Sequence, residues 1–156
     1  MRILYILISS VFFSINVFAQ LMPSAPVSGN QNGNSTKSPS TTLYSQMEVN
    51  FLYGGIASQE FPDFSDCRLQ SADDFVVPAG GWTIGAVDAL GVYFSGSGPA
   101  DFFIVEIYAD DAGSPETTPL HSQSGLNYTQ TGDLFEIPLS SPITLSEGHY
   151  WISIMA

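Results

Sequence analysis

The chain has 156 residues, 15 of them acidic and three basic, for a formal net charge of −12; 12% are charged, 13% aromatic and 44% hydrophobic. So few cations exclude a surface for phosphate backbones, and the aromatic, apolar content excludes a disordered acidic tail. The single cysteine, Cys67, excludes a disulfide framework or a cysteine-rich zinc centre, and the length suits one domain.

The first segment reads as an address. Arg2 precedes an apolar run from Ile3 to Phe18, and Val17-Phe18-Ala19 places small residues where a signal peptidase reads them. This predicts a secretory leader, residues 1–19, cut after Ala19. The run is short and carries Ser9, Ser10, Ser14 and Asn16, whereas a spanning helix needs about 20 predominantly apolar residues. The mature chain is therefore expected to have no membrane span. Its cations would be Lys37 and Arg68 against the same 15 acids, a net charge of −13. Residues 20–42 are nearly all Ser, Thr, Asn, Gln, Gly and Pro without apolar periodicity, which predicts a disordered linker. Two triplets, Asn34-Ser35-Thr36 and Asn127-Tyr128-Thr129, match the glycan-acceptor pattern, which is too common by chance to carry weight.

Residues 43–156 read as strands, with no amphipathic helix. Asp74 to Val77 leads into the turn Pro78-Ala79-Gly80-Gly81. Trp82 to Phe94 follows, with Ile84, Ala86, Leu90, Val92 and Phe94 assigned to one face and Asp88 interrupting it, as at a bulge or rim. Phe102 to Ala109 alternates cleanly, with Phe103, Val105 and Ile107 on one side and Ile104, Glu106 and Tyr108 on the other. On this reading Val105 is core, and Glu106 is replaceable by Gln at little cost. The Ser/Gln-rich stretch around His121 reads as a solvated loop. In Leu134 to Leu139, Phe135, Ile137 and Leu139 share a face, and Pro138 marks an edge or a strand end. The last run, His149 to Met155, puts Tyr150, Ile152 and Ile154 on one face and His149, Trp151, Ser153 and Met155 on the other. Short strands with Gly/Pro turns predict an all-β antiparallel sandwich or jelly roll. Because the sequence stops one residue after so apolar a run, further strands are expected beyond Ala156.

Several pieces come in a characteristic order. They are Gly55-Ile56-Ala57-Ser58-Gln59-Glu60-Phe61, Ala72-Asp73-Asp74-Phe75 through Trp82-Thr83-Ile84, Gly96-Ser97-Gly98-Pro99-Ala100, Ile107-Tyr108-Ala109-Asp110 and Gly148-His149-Tyr150-Trp151-Ile152-Ser153. This order resembles a β-sandwich module near the N-terminus of large secreted bacterial proteins, many of which end in a type IX secretion sorting domain or another surface-anchoring tag. The resemblance spans residues 43–156. It implies export and a sandwich fold, and carries over no catalytic residue.

Candidate chemistry is sparse. Only His121 and His149 can serve as the base of a hydrolytic triad, and no Gly-x-Ser-x-Gly elbow accompanies them. Fifteen acids make some close carboxylate pairs inevitable, so a glycosidase signal is nearly empty. A structural calcium is the better metal candidate: Asp73, Asp110 and Asp111 are the ligands singled out, with Asp74 and Asp63-x-x-Asp66 as further oxygen donors. The same acids read equally as turn chemistry and solvated surface. Trp151 reads either as a platform for a sugar ring or as a side chain packed under a loop. Cys67 reads as a small buried hydrophobe or as a thiol whose partner lies beyond Ala156.

The sequence thus points to a non-catalytic structural or interaction module of a secreted or cell-surface protein. Its expected partners are a glycan or neighbouring domains of the same polypeptide, not nucleic acid. The alternatives are a carbohydrate-binding accessory module of an extracellular hydrolase and the opening domain of a secreted peptidase.

Overall fold

The computed structural model describes residues 15–19 (backbone only), 41–47, 56–60, 68–93 and 98–156. Cys67, Asp63, Asp66, Phe94, Asn34-Ser35-Thr36 and nearly all of the expected linker lie outside the described residues. Nine strands are described: β1 (Ile15–Ala19), β2 (Thr41–Ser45), β3 (Asp73–Val77), β4 (Trp82–Leu90), β5 (Phe103–Ala109), β6 (His121–Leu126), β7 (Thr129–Thr131), β8 (Leu134–Leu145) and β9 (Gly148–Met155). They form two sheets, β2-β1-β4-β8-β7 and β3-β9-β5-β6, with every neighbouring pair antiparallel. The protein is therefore all-β, with two antiparallel sheets packed as a sandwich.

The core lies between the sheets. The first contributes Ile84, Val87, Ala89, Phe135, Ile137, Ile143 and Leu145; the second contributes Phe75, Val77, Phe103, Val105, Ile107, Ile152 and Ile154. The alternation read in β5 and β9 therefore holds. Aromatic rings fill both ends. Phe75 stacks on Trp82 at 6.1 Å at one end, and Phe103 meets Tyr128 edge-on at 4.9 Å at the other, each such pair contributing about 0.5–1.5 kcal/mol beyond its burial.

The face assigned to β4 is corrected. Ile84 is buried, but beyond it Val87 and Ala89 face the core, not Ala86 and Leu90. The ladder to β8 breaks there: Ile84 pairs with Ile143 while Ala86 pairs with Pro138. Leu139 to Pro142 of β8 leave the ladder opposite Gly85, while Phe135, Ile137, Ile143 and Leu145 all stay inward; against β1, Ala19 pairs with Ile84 and Phe18 with Ala86, so the extra residue Gly85 reverses inside and outside on β4. Gln123 of β6 satisfies part of the freed backbone. Its amide oxygen accepts from Ser140 N (2.8 Å), and its NH2 donates to Ser141 O (2.8 Å). Pro138 lies beyond the three-residue pairing of β7 with β8, so its missing N–H costs no ladder bond to β7. After the bulge Asp88 points away from the core face yet remains buried.

His121 is also corrected: it opens β6, opposite Ile107, and is not in a loop. Edge strand β6 carries polar residues and is held to β5 by backbone pairing, so its sequence shows little apolar alternation. Two of the residues read as linker, Thr41 and Thr42, belong to β2. Ile15–Ala19, the end of the expected leader, lies between β2 and β4.

Candidate functional site

The outer face of the second sheet carries the chemistry. Alternation turns Glu106 and Tyr108 of β5 and His149, Trp151, Ser153 and Met155 of β9 to this side. Segments 56–60 and 68–71 cover half of it. Gln59 and Leu69 exchange backbone hydrogen bonds (2.7 and 3.0 Å), Ser58 Oγ donates to Ile154 O (2.6 Å), and Glu60 N donates to Ala156 O (2.9 Å). Beneath this cover Ser153 and Met155 are fully buried.

Glu106 is the centre of a polar network under the cover. Its carboxylate accepts from Tyr108 Oη (2.6 Å), Gln70 Nε2 (2.8 Å), Arg68 Nη2 (3.2 Å) and Ser122 Oγ (3.2 Å). Arg68 also pairs with Glu60 at 3.1 Å. Burial pushes the Glu106 carboxyl up, but the hydrogen bonds from Tyr108 and Gln70 and the Arg68 charge outweigh it, and the net shift is downward. Burial, and donation to Glu106, hold the Tyr108 hydroxyl above its usual range. Glu106 faces outward as the alternation gives it, but it lies under the cover and not in solvent. It is 8% exposed and has four donors, so its replacement by Gln is expected to carry a cost.

At the uncovered end stands a second cluster. His149 Nε2 lies 2.8 Å from Asp74 Oδ2, and His149 Nδ1 lies 3.2 Å from Asp110 Oδ1. Asp110 also accepts from Trp151 Nε1 (2.8 Å) and Gly113 N (3.2 Å). The hydrogen bond to Asp74 and the charge of Asp110 raise the His149 pKa; the Trp151 donor first, then Gly113 and His149, lower that of Asp110. β3 and β9 pair in a register that sets Asp74 opposite Trp151 and Val76 opposite His149, and Asp110 directly follows β5. One imidazole thus joins three strands.

The three acids singled out for calcium occupy different settings. Asp110 is committed to Trp151, His149 and Gly113; Asp111 is exposed in the following turn; Asp73 opens β3 with its carboxyl pKa raised by burial. It is Asp74, not Asp73, that His149 links to Asp110.

Between Trp151 and the loop after β5 lies an open cleft of about 410 Å³. Trp151, Tyr108 and Pro115 supply apolar wall; Gln70, Glu116 and Thr117 supply polar groups; Ala72 completes it. The loop is pinned: Glu116 N donates to Ala109 O (3.0 Å), Asp111 N to Ser114 O (2.7 Å), and Leu120 N to Ile107 O (2.7 Å). Sequence reasoning named Trp151 but missed Gln70, Tyr108 and Glu116, since nothing in a linear pattern brings residues 70, 108 and 116 together.

No protein-family model, curated protein or solved structure matches the chain. Among the described residues no helix is long and apolar enough to cross a membrane.

Proposed function

We propose that residues 43–156 form a non-catalytic interaction module of a secreted or cell-surface protein. One observation carries the non-catalytic part. His149, the histidine set among carboxylates, has both ring nitrogens against acids, at 2.8 and 3.2 Å. A general base needs one nitrogen turned to the nucleophile or substrate and the other to an orienting acid. The arrangement suits a structural clamp. Glu106 is likewise saturated by donors from its own chain. Export is supported by the leader pattern ending at Ala19 and by the resemblance of the motif order to modules of secreted bacterial proteins. The test is incubation of the protein with chromogenic ester, peptide and glycoside substrates across the pH range. No turnover above buffer is expected. Turnover abolished by His149→Gln or Glu106→Gln would overturn the reading.

The second reading, a carbohydrate-binding accessory module, is favoured by the aromatic cleft at Trp151.

A further inference from the structure

We infer that the cleft between β9 and the loop after β5 is a binding site for a neutral saccharide, with Trp151 as the stacking surface. The inference rests on the interaction-module reading and specifies its ligand.

The volume, about 410 Å³, falls within the roughly 300–1,000 Å³ of small-molecule clefts. The walls have the two kinds of surface that a sugar ring presents. A pyranose has a face of C–H bonds, whose partial positive charge suits the negative face of an aromatic ring, and a rim of hydroxyls that each donate and accept. Trp151 is half-buried, and its Nε1–H is already given to Asp110. What it offers a ligand is therefore its ring and not its donor. Tyr108 is spent in the same way, its hydroxyl donating to Glu106. Gln70 gives its NH2 to Glu106 and to Tyr108 Oη (2.6 Å), which fixes the amide plane and leaves the carbonyl oxygen as an acceptor. Glu116 and Thr117 add a carboxylate acceptor and a hydroxyl on the facing loop.

Charge selects among ligands. Among the described residues no cation lines the cleft, Glu116 does, and Asp110 stands behind Trp151. Phosphorylated, sulfated and uronic-acid sugars would meet the Glu116 carboxylate at the wall, while Arg68 and His149 are already given to Glu106 and Asp110, so the fitting ligand is uncharged. Both walls are held before any ligand arrives, Trp151 by Asp110 and the loop by its backbone bonds to β5. Such preorganisation lowers the ordering cost of binding.

The experiment is calorimetric titration of the full chain with neutral gluco-, xylo-, manno- and N-acetylglucosamine oligosaccharides. Acidic oligosaccharides and a Lys/Arg-rich peptide are run alongside, and released reducing ends are assayed in the same samples. At least one neutral series is expected to bind. Trp151→Ala should weaken it tenfold or more, Trp151→Phe should retain part of it, and Glu116→Gln, at an exposed position, should weaken it without altering the melting temperature. A melting curve for each variant separates loss of fold from loss of site. Absence of binding by every neutral sugar, or binding that Trp151→Ala leaves intact, overturns the inference. Binding of the cationic peptide alone overturns the saccharide assignment while leaving the module reading standing. Release of reducing ends overturns the non-catalytic reading and leaves the site in place.

Discussion

His149 ties together three strands through charge, and this makes its contribution dependent on pH. Its folded pKa is raised, so the clamp is fully present below the unfolded value of about 6.5 and is lost as pH rises through the folded value. Asp110, whose pKa is lowered, contributes above its unfolded value and loses that contribution as pH falls through the folded one. The clamp is therefore strongest between the carboxylate and imidazole ranges. Thermal melting should show the wild type losing stability from near neutrality upward, and His149→Gln losing less over the same interval. Parallel curves for the two proteins would remove the clamp from the account. Burial separates the neighbouring positions on β5. Val105→Asp places an unpaired charge in the core at a cost of several kcal/mol, comparable to the roughly 5–15 kcal/mol that stabilises a domain. Glu106→Gln keeps the shape but removes the charge facing Arg68 and one acceptor oxygen, for an expected loss of about 1–3 kcal/mol. Urea unfolding measures both, and a neutral Glu106→Gln would show that the network contributes little.

The elements differ in how plainly the sequence announced them. β5 and β9 alternate strictly and pair over most of their length without a break, so their faces were legible residue by residue. β4 was legible as a strand but not in its phase, because an extra residue at Gly85, opposite the excursion of Leu139 to Pro142 in β8, turns Val87 and Ala89 inward. A glycine inside a strand is a cue for such a bulge, and strict alternation carried through it gives the wrong face. β6 and β7 were missed because they lie at the sheet edges and carry mainly polar residues. The candidate site was half legible: alternation put His149 beside Trp151, but Asp74, Asp110 and Gln70 arrive from distant segments. β1 raises a question of processing. Cutting after Ala19 would remove the strand between β2 and β4. The described core draws on β3, β4, β5, β6, β8 and β9, and β4 keeps β8 on its other side. A chain beginning at Gln20 should therefore still unfold cooperatively. Amides of β4 that face β1 should exchange fast and those bonded to β8 should stay protected; loss of the cooperative transition would make β1 part of the fold's minimum.

At the scale of the whole molecule the two sheets have different roles. Their inner faces meet in an apolar core, and the outer face of the second sheet holds the buried Glu106 network, the Asp74–His149–Asp110 clamp and the cleft beside Trp151. The network and the clamp hold the walls of the cleft, which is the rigidity that the proposed recognition site calls for. The acidic surface fits this division: with 15 acids and three cations the molecule repels polyanions and leaves uncharged ligands unaffected. The most direct measurement is amide chemical-shift mapping of the isotopically labelled protein during titration with the neutral oligosaccharides. The shifts should converge on residues 70–72, 108, 115–117 and 151, with β2, β7 and the excursion at Leu139 to Pro142 unmoved. Shifts confined to the first sheet, or none at saturating sugar, would contradict the saccharide site.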